Sequence, residues 1–228
     1  MAGRFVDAAR GALRRAALRG ANPRRALARE TNAVALTFDD GPDPQFTPQV
    51  LDVLAEHGVR ATFFLVGRRV RSHPELVRRM ISEGHAVGSH TWSHPRPWTI
   101  GGLATLREYR AGRRAVEDVA GRPIRLFRPP KGYLTGRIAL AALAARLETW
   151  LWTLDPEDWQ PGVTADQLLN RLGALGPGDV VLLHDGLEDP LAPEAEDRSA
   201  TVAALPGIIA TVRARGLELV VLEGESAP

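Results

Sequence analysis

Two adjacent carboxylates follow an apolar run near the start of the chain. In VALTFDDGPDP (34–44), four apolar or β-branched residues and a phenylalanine lead into Asp39 and Asp40, and glycine and proline come next. Asp-Gly and Gly-Pro are common turn sequences, so a simple turn is one interpretation. The alternative is a functional pair of carboxylates, and the rest of the chain has to decide between the two.

A pair of histidines with metal-ligand spacing occurs in SHTWSH (89–94), where His90 and His94 are four residues apart. One helical turn would place both imidazoles on one side, about 6 Å apart along the axis. The spacing alone is weak evidence, since structural histidines also show it. Together with one carboxylate of the aspartate pair, however, it forms the His, His, Asp ligand set of a catalytic zinc-type site.

Such a site gives the two adjacent aspartates different roles. One carboxylate would bind the ion, and its neighbour would stay unligated and take a proton from the attacking water. His184, in VVLLHDG, could protonate the leaving group. Arg128 and Asp158 are suited to hold the base and the acid in place.

Short apolar runs alternate with helical patterns from residue 33 onward. Seven runs are predicted as strands: 33–38, 61–66, 85–88, 124–127, 149–153, 179–183 and 217–222. This alternation predicts one α/β domain with a parallel sheet, either closed as a barrel or open and doubly wound. Parallel α/β folds carry their chemistry at the carboxyl ends of the strands. Ionisable residues follow five of the predicted strands: Asp39, Asp40, His90, Arg128, Asp155, Asp158 and His184.

Local signals predict some boundaries of the helices and loops. Ser72 with Glu75 and Thr164 with Gln167 each have the spacing of a capping box. The acidic segment 185–200 is predicted to be a long surface loop that borders the site.

Composition excludes several classes of site. The chain has no cysteine, so disulfides, thiolate-bound zinc and cysteine nucleophiles are excluded, and any metal must be held by histidine and carboxylate. The only lysine, Lys131, is followed by Gly132 and Tyr133, which excludes a phosphate-binding P-loop. There is also no G-x-S-x-G elbow and no G-x-G-x-x-G fingerprint.

Residues 1–30 form a basic arm. They hold eight arginines against Asp7 and Glu30, a charge of +6, and the net charge of +2 therefore leaves −4 for the rest of the chain. Peripheral contact with an anionic membrane is one interpretation of the arm, and a solvated helix is the one we favour, because Gly11 and Gly20 weaken an amphipathic helix. The arm lacks the continuous apolar core of a signal peptide. We therefore expect a cytoplasmic protein, membrane-associated if the arm binds lipid, or a secreted one if the sequence is trimmed.

Five motifs occur in a characteristic order: TFDDGP (37–42), SHTWSH (89–94), RPPKGY (128–133), DPEDW (155–159) and LLHD (182–185). In this order the chain resembles the polysaccharide deacetylases with a NodB homology domain, carbohydrate esterase family 4. The resemblance covers residues 31–228 as a single catalytic domain and leaves out the basic arm. It implies a distorted (β/α) barrel of seven or eight strands.

The resemblance also implies a role for each motif residue. Asp39 is the general base, oriented by Arg128, and His184 is the general acid, with Asp158 as its partner. The implied metal ligands are Asp40, His90 and His94. The implied substrate-binding residues are Pro130, Lys131, Tyr133, Trp159 and Leu182. Lys131 stands where the family usually has tyrosine; its main-chain N–H, which helps to bind the oxyanion, would survive this change, but the wall of the subsite would not.

From these residues we expect metal-dependent hydrolysis of the N-acetyl group of a sugar by a metal-activated water, without a covalent intermediate. Zinc is the expected ion, with cobalt, nickel or manganese as alternatives. The partner is a carbohydrate, not nucleic acid, and we expect a monomer. Two alternatives stay open: deformylation of a lipid-linked amino sugar, and carbohydrate binding without catalysis.

Aromatic and histidine residues outside the motif roles receive separate interpretations. Trp159 and Trp98 are candidate sugar platforms, whereas Trp150 and Trp152 are expected to pack against helices. Three further histidines are expected to be structural: His57, His73 and His85.

Overall fold

The computed structural model describes residues 23–28 and 31–224. Its strands are β1 (Ala33–Asp39), β2 (Thr62–Leu65), β3 (Ala86–Ser89), β4 (Leu126–Phe127), β5 (Glu148–Thr149), β6 (Val180–His184) and β7 (Glu218–Leu219). Its α-helices are α1 (Phe46–Glu56), α2 (Gly67–Ser72), α3 (Pro74–Ser82), α4 (Gly102–Ala120), α5 (Gly136–Ala144), α6 (Ala165–Arg171) and α7 (Ser199–Ala214). Short 3₁₀ turns occupy Pro130–Gly132 and Pro193–Glu196.

The seven strands form one parallel sheet in the order β5-β4-β3-β2-β1-β6, and β7 pairs with the first two residues of β1. A bridge between Leu154 and Val181 joins the β5 side of the sheet to β6. The sheet therefore curls into a distorted barrel, which confirms the predicted barrel and excludes the open, doubly wound alternative.

Each observed strand overlaps a predicted run, and the largest difference concerns β5. The run 149–153 was predicted as a strand, but the ladder with β4 ends at Thr149. Beyond it the chain changes partners: Trp150 bridges to Arg24, and Leu154 bridges to Val181. This segment closes the barrel instead of extending β5.

Strand β1 lies in the middle of the sheet and is buried on both faces. Val34, Leu36 and Phe38 belong to the large hydrophobic cluster shared with the helices, whereas Ala35 belongs to a second, smaller cluster. The same alternate positions as Ala35 also hold two polar residues, Thr37 and Asp39, and Asp39 is the last residue of the strand. Because side chains alternate along a strand, the hydrophobic pattern of β1 places Asp39 on the face opposite the helices.

Part of the segment assigned to the basic arm contacts the barrel. The Arg24 N–H donates to the Thr149 carbonyl over 2.9 Å, and the Leu27 N–H donates to the Gly178 carbonyl over 2.8 Å. Residues 1–22, 29 and 30 lie outside the described residues, so the predicted arm and the domain boundary at residue 30 stay predictions. Within the described ranges, no helix has the length and apolar character needed to cross a bilayer.

The two predicted capping boxes have different outcomes. Thr164 and Gln167 form a capping box at the start of α6, as predicted. The prediction for Ser72 is wrong, since Ser72 ends α2 and its hydroxyl donates to the Arg68 carbonyl. The next helix begins at Pro74, whose fixed φ and missing N–H suit the first helical position without a side-chain cap.

Candidate active site

The predicted site residues converge at the carboxyl ends of the strands. Asp39 ends β1 and His184 ends β6, and the two are direct neighbours in the parallel register. Arg128 follows β4 directly, and its N–H donates to the carbonyl of Ser89 at the end of β3. These strand ends open onto one pocket, lined by the two aspartates, by His90, His94 and His184, and by residues of the segment 187–191.

Asp40, His90 and His94 form a group with the geometry of a metal site. One ligand atom from each lies within 4.8 Å of the others, and all three residues are buried. Asp40 Oδ1 is 3.3 Å from His90 Nε2 and 3.4 Å from His94 Nε2. This oxygen is buried and has no hydrogen-bond partner among the residues that the structure describes. A buried carboxylate oxygen without a donor, facing two imidazoles, fits one divalent cation.

The tautomer of His90 supports the same conclusion. His90 Nδ1 lies 2.7 Å from the Arg128 carbonyl oxygen, which can only accept a hydrogen bond. Nδ1 therefore carries the hydrogen in the neutral ring, and Nε2 presents its lone pair towards Asp40.

The histidine pair does not lie on a helical turn, so that prediction was wrong. Residues 90–94 form a loop in which Thr91 and His94 have φ values of 72° and 52°. The Thr91 hydroxyl accepts the His94 N–H over 3.0 Å, and the Glu108 carboxylate accepts the N–H groups of Trp92 and Ser93. These contacts replace helical hydrogen bonds and still hold the two imidazoles 4.9 Å apart between ring centroids.

Burial and mutual interaction shift the pKa values of the three candidate ligands. Burial alone would raise the pKa of the Asp40 carboxyl, but His94 and His90 hold it well below its usual range. Burial lowers the pKa of His94 to about 4. For His90, the charges of Asp39 and Asp40 outweigh burial and raise the pKa. The carboxylate is thus ionised at neutral pH, as a metal ligand must be.

Asp39 lies beside the candidate ligands but is held by an arginine. Its Oδ1 accepts a hydrogen bond of 2.8 Å from Arg128 Nη1. Arg128 is fully buried, and its guanidinium also donates to the Thr37 hydroxyl over 2.8 Å and to the Leu151 carbonyl over 3.1 Å. These contacts fix the guanidinium and, through it, the orientation of the Asp39 carboxylate.

His184 forms a buried pair with Asp158. His184 Nδ1 is 2.6 Å from Asp158 Oδ1, and Asp158 Oδ2 accepts from the His184 N–H and from the Thr201 hydroxyl, each over 2.8 Å. Burial lowers the pKa of the imidazole, but the Asp158 carboxylate outweighs it and raises the pKa to about 9. With Nδ1 committed to Asp158, Nε2 is the ring nitrogen left to donate a proton to a bound molecule.

Three of the predicted substrate-binding residues line the pocket: Lys131, Trp159 and Leu182. Within the described part of the chain, Pro130 and Tyr133 are not lining residues. Pro130 is buried, whereas Tyr133 is 40% exposed and packs edge-to-face on Trp98 with ring centroids 5.8 Å apart. Substrate binding by Pro130 and Tyr133 stays a prediction.

The structure corrects the assignment of two tryptophans. Trp152 was expected to pack against helices, but it lines the pocket, and the guanidinium carbon of Arg128 lies 5.5 Å from its ring centroid. Trp150 is buried in the smaller hydrophobic cluster with strand residues such as Ala35 and Phe64. Both side chains belong to the segment that closes the barrel, which the predicted strand pattern did not identify.

Other residues at the site had no assigned role in the sequence. Asp155 accepts the Glu157 N–H over 2.8 Å and also lines the pocket, so it serves its turn and the site together. Arg198 is buried and donates to the Asp158 carbonyl over 2.7 Å. The sequence signals for Asp155 were its position after the fifth predicted strand and its place in the DPEDW motif, whereas Arg198 had no such signal. The three histidines that were expected to be structural do not belong to the site. His85 accepts the Ala61 N–H over 3.0 Å, and His57 and His73 lie at helix ends.

Comparison with known proteins agrees with this geometry. A sequence profile of the family described as polysaccharide deacetylase matches residues 27–150. A chitooligosaccharide deacetylase from Bradyrhizobium sp. is 40% identical over 195 residues, which cover 83% of this chain and 88% of the relative. A peptidoglycan-N-acetylglucosamine deacetylase from Bacillus cereus is 39% identical over 191 residues, with 82% and 84% covered.

A solved structure gives the same result at the level of the fold. The Bc1960 peptidoglycan N-acetylglucosamine deacetylase, in complex with 4-naphthalen-1-yl-N-oxidanyl-benzamide, superposes with a TM-score of 0.80 and 33% identity. The similarity covers 90% of this chain and 92% of that one. These matches agree with the predicted reaction class, hydrolysis of an amide bond. The chain therefore belongs to the polysaccharide deacetylase family.

Proposed function

We propose that this protein removes N-acetyl groups from amino sugars of an N-acetylglucosamine-containing glycan. One observation carries the proposal: a buried Asp-His-His group shares its pocket with a separately held carboxylate and a separately held imidazole. One carboxylate oxygen of the group has no hydrogen-bond partner among the described residues. The relatives named for chitooligosaccharides and for peptidoglycan N-acetylglucosamine support this class of substrate.

Asp40, His90 and His94 are the proposed ligands of one divalent ion. When bound, such an ion supplies a Lewis acid that lowers the pKa of water and polarises an amide carbonyl. Zinc is our proposal for the ion, because two imidazoles and one carboxylate without thiolate are a common catalytic zinc set. Cobalt, nickel and manganese also accept nitrogen and oxygen ligands.

Asp39 is the proposed general base. Its Oδ1 is occupied by the 2.8 Å bond from Arg128, and its Oδ2 lies 3.8 Å from His90 Nε2, next to the candidate ligands. Oδ2 is thus placed to take a proton from the water that attacks the acetyl carbon. Arg128 holds this carboxylate in one orientation, which would favour the role of base over that of metal ligand.

His184 is the proposed general acid. With a pKa of about 9 before metal binds, the imidazole holds a proton at neutral pH. It gives this proton to the amide nitrogen as the C–N bond breaks, and Asp158 holds the ring through Nδ1. The water oxygen is then bonded to the acetyl carbon, so the products are acetate and a free amino sugar.

Trp159 and Leu182 are proposed to form the subsite of the acetyl group. Both side chains line the same pocket as the proposed base and acid. A small apolar wall beside the reacting carbonyl would accept a methyl group and keep bulk water away from it.

Product analysis tests the proposal. The protein, loaded in turn with zinc, cobalt, nickel or manganese, is incubated with N-acetylchitooligosaccharides, with N-acetylglucosamine-containing peptidoglycan fragments and with N-formyl analogues. We expect acetate and free amine in equal amounts, and only with metal present. Formate release alone would replace the proposal by a deformylase. Sugar binding by the metal-loaded protein without any product would make it a binding protein.

A further inference from the structure

The segment 187–191, which we call the strap, forms one wall of the pocket. We infer that Glu188 of the strap and Arg69 of α2 are positioning residues that orient Asp40 for metal binding. The inference rests on the proposed function, since it concerns a proposed metal ligand, and it adds two residues that lie outside all five sequence motifs.

The strap contacts Asp40 directly through its main chain. The Glu188 N–H donates a hydrogen bond of 2.8 Å to Asp40 Oδ2. The other oxygen, Oδ1, faces His90 and His94 and has no hydrogen-bond partner within the described part of the chain. The donor thus decides which carboxylate oxygen is left for an ion.

The side chain of Glu188 holds the strap in this position. It is 7% exposed, and its Oε1 accepts from Arg69 Nε over 2.6 Å. Arg68 also pairs with this carboxylate, but the Arg68 side chain is 52% exposed. Arg69 is 24% exposed, so its interaction with the Glu188 carboxylate is less screened by solvent than that of Arg68.

Arg69 connects the strap to the loop that carries Asp40. Besides Glu188, its guanidinium donates to the Leu187 carbonyl over 3.0 Å and lies 3.3 Å from Asp43 Oδ2. Asp43 is three residues after Asp40 and accepts the Phe46 N–H at the start of α1. The Arg69 guanidinium therefore holds the Glu188 N–H, which is the donor in the strap, close to the loop that carries Asp40.

The close fit of the strap is visible at Gly186. A β-carbon added there would lie 2.9 Å from Arg69 Nη1 and 3.2 Å from the Asp40 carbonyl oxygen. The chain before the strap therefore passes closely between Arg69 and Asp40, and a side chain at residue 186 would require Arg69 to move.

Loss of Arg69 would leave the Glu188 carboxylate buried beside a single exposed cation. An uncompensated buried charge is costly, so the strap would move to hydrate it. The Glu188 N–H would then leave Asp40 Oδ2, and the ligand would lose its fixed orientation. Contacts of this kind behind a ligand typically contribute a factor of about 10 to 100 in metal affinity.

The experiment measures zinc and cobalt dissociation constants by competition with a chromophoric chelator, together with thermal unfolding of the metal-free proteins. The variants are Arg69→Met, Arg69→Lys and Glu188→Gln. Arg79→Met is the matched control, because Arg79 also pairs with two carboxylates, those of Glu83 and Asp52, but on the surface of α3.

We expect Arg69→Met to weaken binding of both metals by about 10- to 100-fold, Arg69→Lys to recover part of the loss, and Arg79→Met to stay within about twofold of wild type. A metal affinity of Arg69→Met within twofold of wild type, or an equal loss in Arg79→Met, would overturn the inference. If Arg69→Met does not fold, Glu188→Gln decides in the same way, with an expected loss of about tenfold. Wild type that binds neither metal would contradict the proposed function itself.

Discussion

Asp39 and Asp40 are chemically identical neighbours with different surroundings. Asp39 is the last residue of β1 and points to Arg128. Asp40 has a φ of 71°, which turns the chain out of the strand and brings its carboxylate to His90 and His94. The residue types predict a base and a ligand, but the residues alone do not say which is which. In the structure, the backbone turn at Asp40 gives the two residues their different roles. In the sequence, only the family resemblance assigned those roles.

The pH dependence of activity is a prediction about His184. A general acid must be protonated, so kcat/KM should fall as pH rises through the pKa of His184, which is about 9 without metal. Replacing Asp158 by asparagine removes the charge that outweighs burial, and the pKa then falls. The alkaline limb of kcat/KM for Asp158→Asn should therefore lie at least about one pH unit below that of wild type.

Thr201→Val is the control for this pH profile. Thr201 donates to Asp158 Oδ2, so its replacement disturbs the same site but keeps the charge, and the limb should move far less. A cation at the proposed site would lower the pKa of His184 in every variant, so the difference between variants is the informative quantity. An alkaline limb that does not move in Asp158→Asn would remove His184 from the role of acid.

At the scale of elements, strands were predictable and the connecting loops were not. A buried strand leaves a continuous apolar run in the sequence, as β1 and β6 do. The loop 90–94 has no such local code, because its conformation depends on Glu108, a residue of the distant helix α4. Trp152 was misassigned for the same reason, since its place in the pocket depends on how the segment after β5 closes the barrel.

The loop between β1 and α1 gives a prediction about stability. A β-carbon on Gly41 would lie 2.2 to 2.6 Å from the carboxyl atoms of Asp185. Asp185 is fully buried and accepts a hydrogen bond from Thr47, so it has little room to move. Gly41→Ala should lower the free energy of unfolding by about 1–3 kcal/mol, measured by chemical denaturation.

Gly176→Ala is the matched control, because among the described residues the nearest contact of a β-carbon added there is the Ala174 carbonyl oxygen at 3.9 Å, an ordinary van der Waals distance. It should change the free energy of unfolding by less than about 0.5 kcal/mol. Equal effects of the two substitutions would show that the contact with Asp185 does not restrict residue 41.

The loop after β4 gives a prediction about substrate charge. Lys131 Nζ is 3.5 Å from Asp189 Oδ2, and Asp189 also accepts two hydrogen bonds from Arg96. Because Lys131 and Arg96 share the single Asp189 carboxylate, the charge of Lys131 is only partly neutralised and can still attract an anionic group on a substrate. Lys131→Ala should raise KM for an anionic glycan, more strongly at low salt, with little change for a neutral one.

The same variant tests the oxyanion role of the main chain at residue 131. Alanine keeps the N–H, so kcat should change by less than about tenfold, whereas loss of an oxyanion donor costs about 10² to 10³. A collapse of kcat with KM unchanged would mean that the Lys131 side chain acts in the transition state.

For the whole molecule, a parallel barrel explains why the motifs predicted a site at all. Parallel strands bring their carboxyl ends to one edge, so five motifs far apart in sequence meet in one pocket. The supporting contacts were beyond sequence reasoning. Arg198, Thr201 and Arg69 reach the site through packing between distant segments, and nothing in their local sequence differs from that of a surface residue.

Metal binding should also stabilise the fold. A ligand that binds only the folded state at 100 times its Kd adds about 2.7 kcal/mol to the free energy of unfolding. Zinc should therefore raise the Tm of wild type and of His57→Ala, because His57 lies at the end of α1 outside the site. His94→Ala should lose most of this increase. A zinc-induced increase in Tm that persists unchanged in His94→Ala would contradict its role as a ligand.

The central claim is that two adjacent residues in one pocket have different roles, Asp39 as the general base and Asp40 as a metal ligand. The measurement that tests it most directly is bound metal and acetate release, determined on the same samples of wild type, Asp39→Asn and Asp40→Asn with an N-acetylchitooligosaccharide. We expect wild type to bind metal and release acetate, Asp39→Asn to bind metal as wild type does and release almost none, and Asp40→Asn to lose both. Equal loss of metal in the two variants, or acetate release by Asp39→Asn at the wild-type rate, would contradict the account.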